Sequence, residues 1–246
     1  MKVGLVTGGA KGIGKAICNI LAKNNYRVIV TDVDSKEGIA TATELQDLYG
    51  KENVMFMECD ISSFGQFETT IVKVVQQFGS IDVIVNNAGI LDENNWQMMV
   101  DINLNGSIHG TLLGLQFMGK HKGYKGGTII NIASNAAIHP FPLAPIYSAC
   151  KHGIVGLSRS YGHPIHFERT GVCILTLCPW PTNTKLCDEF VNNSSLPDVA
   201  NEHMEGLKMM EPSIVAEALL HMLKDQKTGS VMKVSLEGYQ YVQLLS

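Results

Sequence analysis

One tyrosine and one lysine stand four residues apart in the segment PIYSACKHG, which runs from Pro145 to Gly153. Tyr147 is the only one of the seven tyrosines that has a lysine at this spacing. Residues four apart share one face of a helix, so the ammonium of Lys151 can approach the phenol of Tyr147. A free phenol has a pKa of about 10, and a nearby cation lowers it by favouring the phenolate. The spacing predicts a proton-transfer pair, while two unrelated polar side chains on a helix surface remain the alternative.

A glycine-rich turn, TGGAKGIG, follows the first apolar run and opens the first helix-length segment. Its glycines allow a tight turn and close backbone approach, and the following helix N-terminus offers free N–H groups to a pyrophosphate. An ordinary glycine-rich turn is the alternative, but the strand–turn–helix setting favours dinucleotide binding. We therefore expect cofactor contacts at Gly8, Gly12, Ile13 and Gly14.

Asp32 closes the second apolar run and follows the glycine-rich turn at the distance typical of a ribose-binding carboxylate. Such a carboxylate bonds the 2′-hydroxyl of NAD and repels the 2′-phosphate of NADP, by about 4 kcal/mol for unit charges 4 Å apart at a dielectric of about 20. The positive charge of Lys11 would favour the 2′-phosphate of NADP, whereas the negative charge of Asp34 would oppose it. A helix cap is the other reading of Asp32. We predict NAD as the cofactor, with Val33 also in contact.

Composition argues against several function classes. The 246 residues carry a formal net charge of −4, which does not favour a nucleic-acid partner. The eight histidines and six cysteines form no pattern typical of a metal site and no CxxC pair. No apolar stretch reaches membrane-spanning length, and we expect no signal peptide ahead of the first apolar run. We expect a cytoplasmic protein with reduced cysteines, no metal and no membrane span.

Short apolar runs alternate with helix-length segments along the whole chain. The predicted strands are 2–7, 27–32, 53–59, 81–86, 127–134, 171–178 and 230–235. The predicted helices are 12–24, 35–50, 62–78, 94–121, 147–169 and 212–225. This alternation predicts one doubly wound α/β domain over 1–246, with a parallel sheet and helices on both faces. The long irregular segment 179–212 leaves the end of a strand, so we expect it to form a substrate-site lid.

Five motifs resemble the short-chain dehydrogenase/reductase family in order and spacing: TGGAKGIG, NNAG at 86–89, Asn103 in INLNG, Ser134 in NIAS, and the tyrosine–lysine pair. The resemblance covers nearly the whole chain. It implies a Rossmann sheet of seven parallel strands and hydride transfer between NAD(P) and a secondary alcohol or ketone. It further implies that Tyr147 is the base, that Ser134 holds the substrate oxygen, and that Asn103 relays protons through water to Lys151. Without it, Ser134 would be read as a strand-end turn residue and Asn103 as a helix or cap residue.

Further cofactor contacts are expected where strands end, although ordinary turn chemistry also fits some of these positions. They are Asp60, Ile61, Asn87, Ala88, Gly89, Tyr147, Lys151, Pro179, Thr182 and Thr184. Substrate contacts are expected from Ser134, Phe141, Ala144, Tyr147, Trp180 and Leu186. Leu143 and methionines between Met204 and Met210 are further wall candidates. Two of these positions depart from the resemblance: Ala144 lacks the polar side chain of a family member, and Trp180 replaces the usual glycine after Pro179.

The apolar candidates favour a lipophilic secondary alcohol, such as a hydroxy lipid, prostanoid, steroid or terpenoid, oxidised with NAD. Two alternatives remain open: a steroid ketone reductase of the same family, for example of the ecdysteroid type, and a dinucleotide-binding regulator without catalysis. The resemblance also implies a homodimer or homotetramer that uses the helix after Tyr147. Pro164 removes a backbone donor within that predicted helix and is expected to kink or end it.

Overall fold

The computed structural model describes residues 1–243. Within them lie eight strands: β1 (Lys2–Thr7), β2 (Tyr26–Asp32), β3 (Val54–Glu58), β4 (Val83–Asn86), β5 (Gly127–Ile132), β6 (Val172–Pro179), β7 (Val231–Ser235) and β8 (Gly238–Tyr241). They form one sheet in the order β3-β2-β1-β4-β5-β6-β7-β8. The seven predicted strands all form, and they pair in parallel.

The sheet has eight strands rather than the seven implied by the resemblance. Strand β8 pairs antiparallel with β7, and Ser235 lies opposite Gly238 across a tight turn. The sequence GYQY is only four residues long and mostly solvent-facing, so it lacks the apolar run that marks the other strands. The Rossmann-type architecture is confirmed, and the added strand extends the edge beyond β7.

Helices occupy both faces of the sheet. The helices of the described residues are α1 (Gly12–Lys23), α2 (Ser35–Tyr49), α3 (Phe64–Phe78), α4 (Trp96–Val100), α5 (Gly106–Met118), α6 (Pro145–Tyr161), α7 (Pro164–Thr170), α8 (Lys185–Asp188), α9 (Phe190–Asn193), α10 (Pro197–Met204) and α11 (Pro212–Asp225); α8, α9 and α10 belong to the segment 179–212. No helix within residues 1–243 is long and apolar enough to cross a membrane.

Two predicted helices are interrupted. The segment predicted as 94–121 contains α4, a π-helical turn over Asp101–Asn105, and α5. The segment predicted as 147–169 divides into α6 and α7, because Pro164 cannot donate a backbone hydrogen bond and instead starts the new helix. His163 caps that start by accepting from the N–H of Ile165.

The alternation of side chains along the strands divides the core between the two faces. Val6 belongs to a cluster with residues of α1, α2 and α11, whereas its neighbour Leu5 packs with residues of α3 and α5. The strands are therefore covered on both sides, as their nearly continuous apolar sequences predict. The strand order reverses direction between β1 and β4, and in such sheets ligands bind beyond the carboxyl ends of the strands at this point.

Candidate active site

A cavity of about 550 Å³ opens at the carboxyl edge of the sheet. Every predicted cofactor residue lies on its lining: Gly8, Gly12, Ile13, Gly14, Asp32, Val33, Asp60, Ile61, Asn87, Ala88, Gly89, Tyr147, Lys151, Pro179, Thr182 and Thr184. These residues come from strand ends, loops and helix starts that are far apart in sequence. Parallel strands bring them together because all their carboxyl ends share one edge.

The glycine-rich turn fits the phosphates of a dinucleotide. Lys11 at the N-cap of α1 makes no side-chain cap, so the first N–H groups of this helix face the turn without a local acceptor. A Cβ on Gly14 would collide with the carbonyl oxygen of Gly8. Asn87 fixes the turn from the neighbouring strand by donating to the carbonyl oxygens of Thr7 at 2.9 Å and Gly8 at 3.1 Å.

Asp32 links the end of β2 to the glycine-rich turn. Its carboxylate accepts from the N–H of Ala10 and from the N–H of Asp34, each at 3.1 Å. Lys11 pairs with Asp34 at 2.9 Å and lies 3.9 Å from Glu37, so its charge is directed toward these two carboxylates. The surroundings of Asp32 therefore carry an excess of negative charge, which opposes a 2′-phosphate.

Asp60 and Ile61 lie at the end of the cavity beyond β3. Asp60 accepts from both the N–H and the hydroxyl of Ser62, at 2.9 and 2.7 Å. Ile61 is buried in the core cluster under α3 and α5. Together they present a carboxylate beside an apolar side chain, which is the arrangement expected for an adenine edge.

Tyr147 and Ser134 meet at the centre of the cavity. Ser134 follows β5 in an extended conformation, and its oxygen accepts from the N–H of Ala136 at 3.2 Å. Tyr147 lies in the first turn of α6 with 8% of its surface exposed, and it lines the same cavity as Ser134. Ser148, the next residue of α6, donates to the carbonyl oxygen of Ala136 at 2.8 Å. This bond holds the serine loop against the tyrosine helix.

Lys151 lies one turn along α6 and is 4% exposed. Its Nζ donates to the carbonyl oxygen of Ile132 at 3.0 Å and lies 5.4 Å from the centroid of the Tyr147 ring. A Cβ on Gly89 would lie 3.6 Å from this Nζ and 3.1 Å from Oδ1 of Asn103, so a larger residue at this position would crowd the Asn103 side chain.

Asn103 is fully buried within the π-helical turn and does not line the cavity. Its Oδ1 accepts from the N–H of Ile90, and its Nδ2 donates to the carbonyl oxygen of Ile90, both at 2.8 Å. The side chain therefore holds the segment after β4 in place. Its role in a proton relay stays a prediction.

Burial moves the pKa values of the two central groups in opposite directions. It raises the pKa of Tyr147, and hydrogen bonding with Ser134 only partly opposes this. It lowers the pKa of Lys151 from 10.5 to about 8. Both shifts have one physical cause, since a poorly solvated site disfavours the charged form of each group. At neutral pH this site therefore contains a neutral phenol beside an ammonium ion.

Residues of the segment 179–212 line part of the cavity. Its two ends are joined where the N–H of Met210 donates to Pro181 and the N–H of Asn183 donates to Met210, at 2.9 and 2.8 Å. Its middle is attached to the loop before α6 by Ser194, which donates to the carbonyl oxygen of Leu143 at 2.8 Å. Its role as a substrate-site lid stays a prediction.

The predicted substrate residues divide into two groups. Phe141, Trp180 and Leu186 line the cavity with Ser134 and Tyr147, whereas Ala144 is completely buried behind the lining. Ala144 therefore does not reach the cavity, because it forms the N-cap of α6 and packs in an apolar cluster with Phe190. Trp180 also packs partly against the main core, so only part of its indole narrows the cavity.

Several wall residues were not predicted from the sequence. Phe190 stacks on Phe141 with ring centroids 5.5 Å apart, and His203 lies 6.1 Å from Phe141. Further lining residues are Asn135, His139 and Leu207. Among the wall candidates, Met204 lines the cavity, while Leu143 and Met210 are buried outside it. The aromatic residues within the predicted lid were the available signal, but their direction depends on how the lid folds.

Comparison with known proteins gives the family. The sequence profile described as "short chain dehydrogenase" matches residues 2–195. The chain is 34% identical over 241 residues to 15-hydroxyprostaglandin dehydrogenase [NAD(+)] of Rattus norvegicus, and the matched region covers 95% of this chain and 91% of that protein. It is also 34% identical to alcohol dehydrogenase 2 of Ceratitis capitata over 231 residues, covering 92% and 88% of the two chains.

Solved structures of similar proteins share the fold of this chain. Levodione reductase superposes with a TM-score of 0.82 at 26% identity, over 95% of this chain and 96% of the other. A short-chain dehydrogenase/reductase from Burkholderia phymatum, solved in complex with NAD, shares the fold with a TM-score of 0.82 at 21% identity, over 94% and 88% of the two chains. The chain belongs to the short-chain dehydrogenase family and is an oxidoreductase.

Proposed function

We propose that this protein oxidises a lipophilic secondary alcohol to a ketone and uses NAD as its cofactor. The observation that carries the proposal is the meeting of Ser134, Tyr147 and Lys151 on one cavity whose outer wall is apolar. The similarity to dehydrogenases named for NAD and for alcohols supports it. Bound NAD would be held by the glycine-rich turn, Asp32 and the NNAG segment, and it would supply the hydride acceptor.

The side chains of the site divide the remaining chemistry between them. Ser134 orients the alcohol oxygen by hydrogen bonding and stabilises the negative charge that develops on it. Tyr147 receives the hydroxyl proton, because it is a titratable group that lines the same cavity as Ser134 and lies beside the ammonium of Lys151. Lys151 supplies the positive charge that lowers the energy of the phenolate. The aromatic and methionine side chains of the lid exclude water, which strengthens each of these interactions.

The experiment that tests the function is a turnover screen. Hydroxy fatty acids, prostanoids, steroid alcohols and terpenoid alcohols are each offered with NAD or NADP, and the absorbance of the reduced cofactor is followed. We expect NADH to form with at least one lipophilic alcohol and more slowly with short-chain alcohols. Tight NADH binding without turnover of any alcohol or ketone would instead indicate a cofactor-binding regulator.

Asp32→Ser should change the cofactor preference. Removing the carboxylate abolishes the bond to the ribose 2′-hydroxyl and the repulsion of a 2′-phosphate. We expect the ratio of kcat/KM for NAD to that for NADP to fall by about tenfold to a hundredfold, which corresponds to roughly 1.4–2.7 kcal/mol. Asp47→Ser is the matched control, since it removes the same charge from an exposed position on α2. An unchanged ratio in Asp32→Ser would contradict the assigned role.

We further propose a homodimer that uses the outer face of α6. Gly156 on that face has open space over it, and Ile165 on the following helix is 66% exposed. A small residue on a helix surface allows close packing of a second helix. Light scattering at micromolar concentration should give twice the chain mass of 26.8 kDa; a monomer would refute this proposal.

A reducing, cytoplasmic location is also proposed, because all six cysteines are free thiols.

A further inference from the structure

Helix α6 begins without a cap of its own. Its N-cap residue is Ala144, whose methyl group cannot accept a hydrogen bond, and its first residue is Pro145, which has no N–H. The first free donors of the helix are therefore the backbone N–H groups of Ile146 and Tyr147. Without an acceptor, two donors directly at the candidate catalytic tyrosine would lack a protein partner.

Glu93 supplies the missing acceptor from a distant part of the chain. Its Oε2 accepts from the N–H of Ile146 at 3.2 Å, and its Oε1 accepts from the N–H of Tyr147 at 2.9 Å. Within residues 1–243, no lysine, arginine or histidine nitrogen lies within 4.0 Å of this carboxylate. Its charge therefore faces the positive end of the α6 dipole rather than a cationic side chain.

The segment that carries Glu93 also contacts a second group of the site. Three residues earlier, the backbone of Ile90 forms both hydrogen bonds to the Asn103 side chain. One short segment after β4 thus holds Asn103 at one end and the start of the Tyr147 helix at the other. A displacement of this segment would move both groups relative to the cavity.

We propose that Glu93 is a positioning residue for Tyr147: by capping α6 through space, it fixes where the phenol lies relative to Ser134 and to the bound substrate oxygen. The inference rests on the proposed dehydrogenase activity and deepens it. Tyrosine side chains on a helix lean toward its N-terminus, so a shift of the first turn is passed directly to the phenol. Misplacement of a reacting group by about 1 Å can lower a rate by about a hundredfold.

The carboxylate also has an electrostatic effect on the same phenol. Its negative charge offsets the helix dipole, which would otherwise favour the phenolate. The other charged or titratable groups around Tyr147 are Lys151 and the thiols of Cys150, Cys178 and Cys187. Replacing Glu93 by glutamine leaves these groups unchanged and retains one carbonyl acceptor. This variant therefore separates the charge of Glu93 from its geometry.

The test compares three variants with wild type, using the alcohol found in the turnover screen. Glu93→Ala should lower kcat by about tenfold to a hundredfold while KM for NAD stays within twofold. Adding Ala144→Ser to Glu93→Ala should restore much of kcat, because serine at the N-cap accepts from the same N–H groups. Glu93→Gln should keep most of kcat, with the rising limb of its pH profile moved to lower pH by roughly 0.2–0.7 units.

Amide hydrogen exchange gives a readout that does not require turnover. The amides of Ile146 and Tyr147 should exchange at least about tenfold faster in Glu93→Ala than in wild type, since they lose their acceptor. Ser63→Ala is the control, because it removes the cap of α3, where Ser63 accepts from the N–H of Gln66. It should lower thermal stability without changing the pH profile or the exchange of these two amides.

The outcomes separate this inference from the proposed function. A wild-type enzyme that converts no alcohol defeats the proposed function. An active wild type, together with a folded Glu93→Ala variant of equal kcat, defeats only the role of Glu93. If Glu93→Ala does not fold, Glu93→Gln decides: wild-type exchange of both the Ile146 and Tyr147 amides, together with a wild-type pH profile, overturns the proposal, and faster exchange of the amide that loses its acceptor oxygen supports it.

Discussion

Tyr147→Phe should lower kcat for alcohol oxidation by about a thousandfold and leave the affinity for NADH within about twofold of wild type. The substitution removes one oxygen atom, which is the group assigned to receive the substrate proton. Loss of a general base typically lowers a rate by about 10²–10⁴-fold. The ring itself is buried in an apolar cluster with Ala144 and Phe190, so phenylalanine keeps its packing.

The same helix offers a matched control. Tyr161 is the last residue of α6 and packs against His166, with ring centroids 5.2 Å apart, away from the cavity. Tyr161→Phe removes the same atom from the same helix and should leave both kcat and NADH affinity unchanged. Cofactor affinity is measured by the quenching of protein fluorescence, and turnover by NADH absorbance. A Tyr147→Phe enzyme that retained even a tenth of wild-type kcat would require a different base.

The fold and the central site could be predicted because their signals are local. Apolar runs mark the buried parallel strands, which are four to eight residues long, and the carboxyl end of each strand places the next residues at one edge. Ser134, Asn87 and Asp32 all follow from this rule once the strands are recognised. Tyr147 and Lys151 are four residues apart, so a single helical turn is enough to bring their side chains close together.

The parts that could not be predicted depend on tertiary contacts. Because Ala144 stands three residues before Tyr147, we expected its side chain to contact the substrate. As the N-cap of α6, however, its side chain points into the protein interior. Glu93 gave no signal, since its two partners lie more than fifty residues away and are backbone groups. The lid residues Phe190 and His203 approach Phe141 only after three short helices have formed. Strand β8 was not predicted because its four residues, GYQY, include none that is buried and so form no apolar run.

Lys151→Met should produce a protein that is more stable than wild type at pH 7 and nearly inactive. Burial lowers the folded-state pKa of this lysine from 10.5 to about 8. Between these values the unfolded chain binds more protons than the folded one, so the contribution of Lys151 to stability rises with pH through that window. Below pH 8 both states are protonated, and the folded protein carries the full penalty of a buried charge. A difference of 2.5 pKa units corresponds to about 3 kcal/mol.

Urea unfolding of the two proteins at pH 7, 8, 9 and 10 measures this difference directly. Methionine has a similar length and no charge, so Lys151→Met should exceed wild-type stability by up to about 3 kcal/mol at pH 7, less the lost bond to Ile132. The advantage should shrink as pH rises through the window. Buried thiols that ionise on unfolding affect both proteins equally and cancel. Lys73→Met, at an exposed position on α3, controls for the change in net charge.

The activity of Lys151→Met should fall because the variant lacks the buried ammonium, and the same loss is what makes it more stable. Burial lowers the pKa of Lys151 to about 8, so we expect the neighbouring Tyr147 and Lys151 to lose their first proton near this pH, with the remaining proton distributed between the two groups. Oxidation should therefore increase up to about pH 8. Without the ammonium, the phenol keeps the pKa that burial has raised, so kcat/KM at pH 7 should drop by about 10²–10³-fold and the rising limb should move to higher pH.

Stability and activity are thus coupled through one buried cation. The poorly solvated surroundings that make the ammonium unfavourable for folding also strengthen its attraction for a phenolate, because both effects grow as the local dielectric falls. A Lys151→Met variant that was less stable than wild type at pH 7, or that kept the wild-type pH profile, would contradict this coupling. Each measurement can contradict its own part of the argument. The dependence of stability on pH tests whether Lys151 carries a buried charge, and the dependence of rate on pH tests whether that charge favours the phenolate of Tyr147.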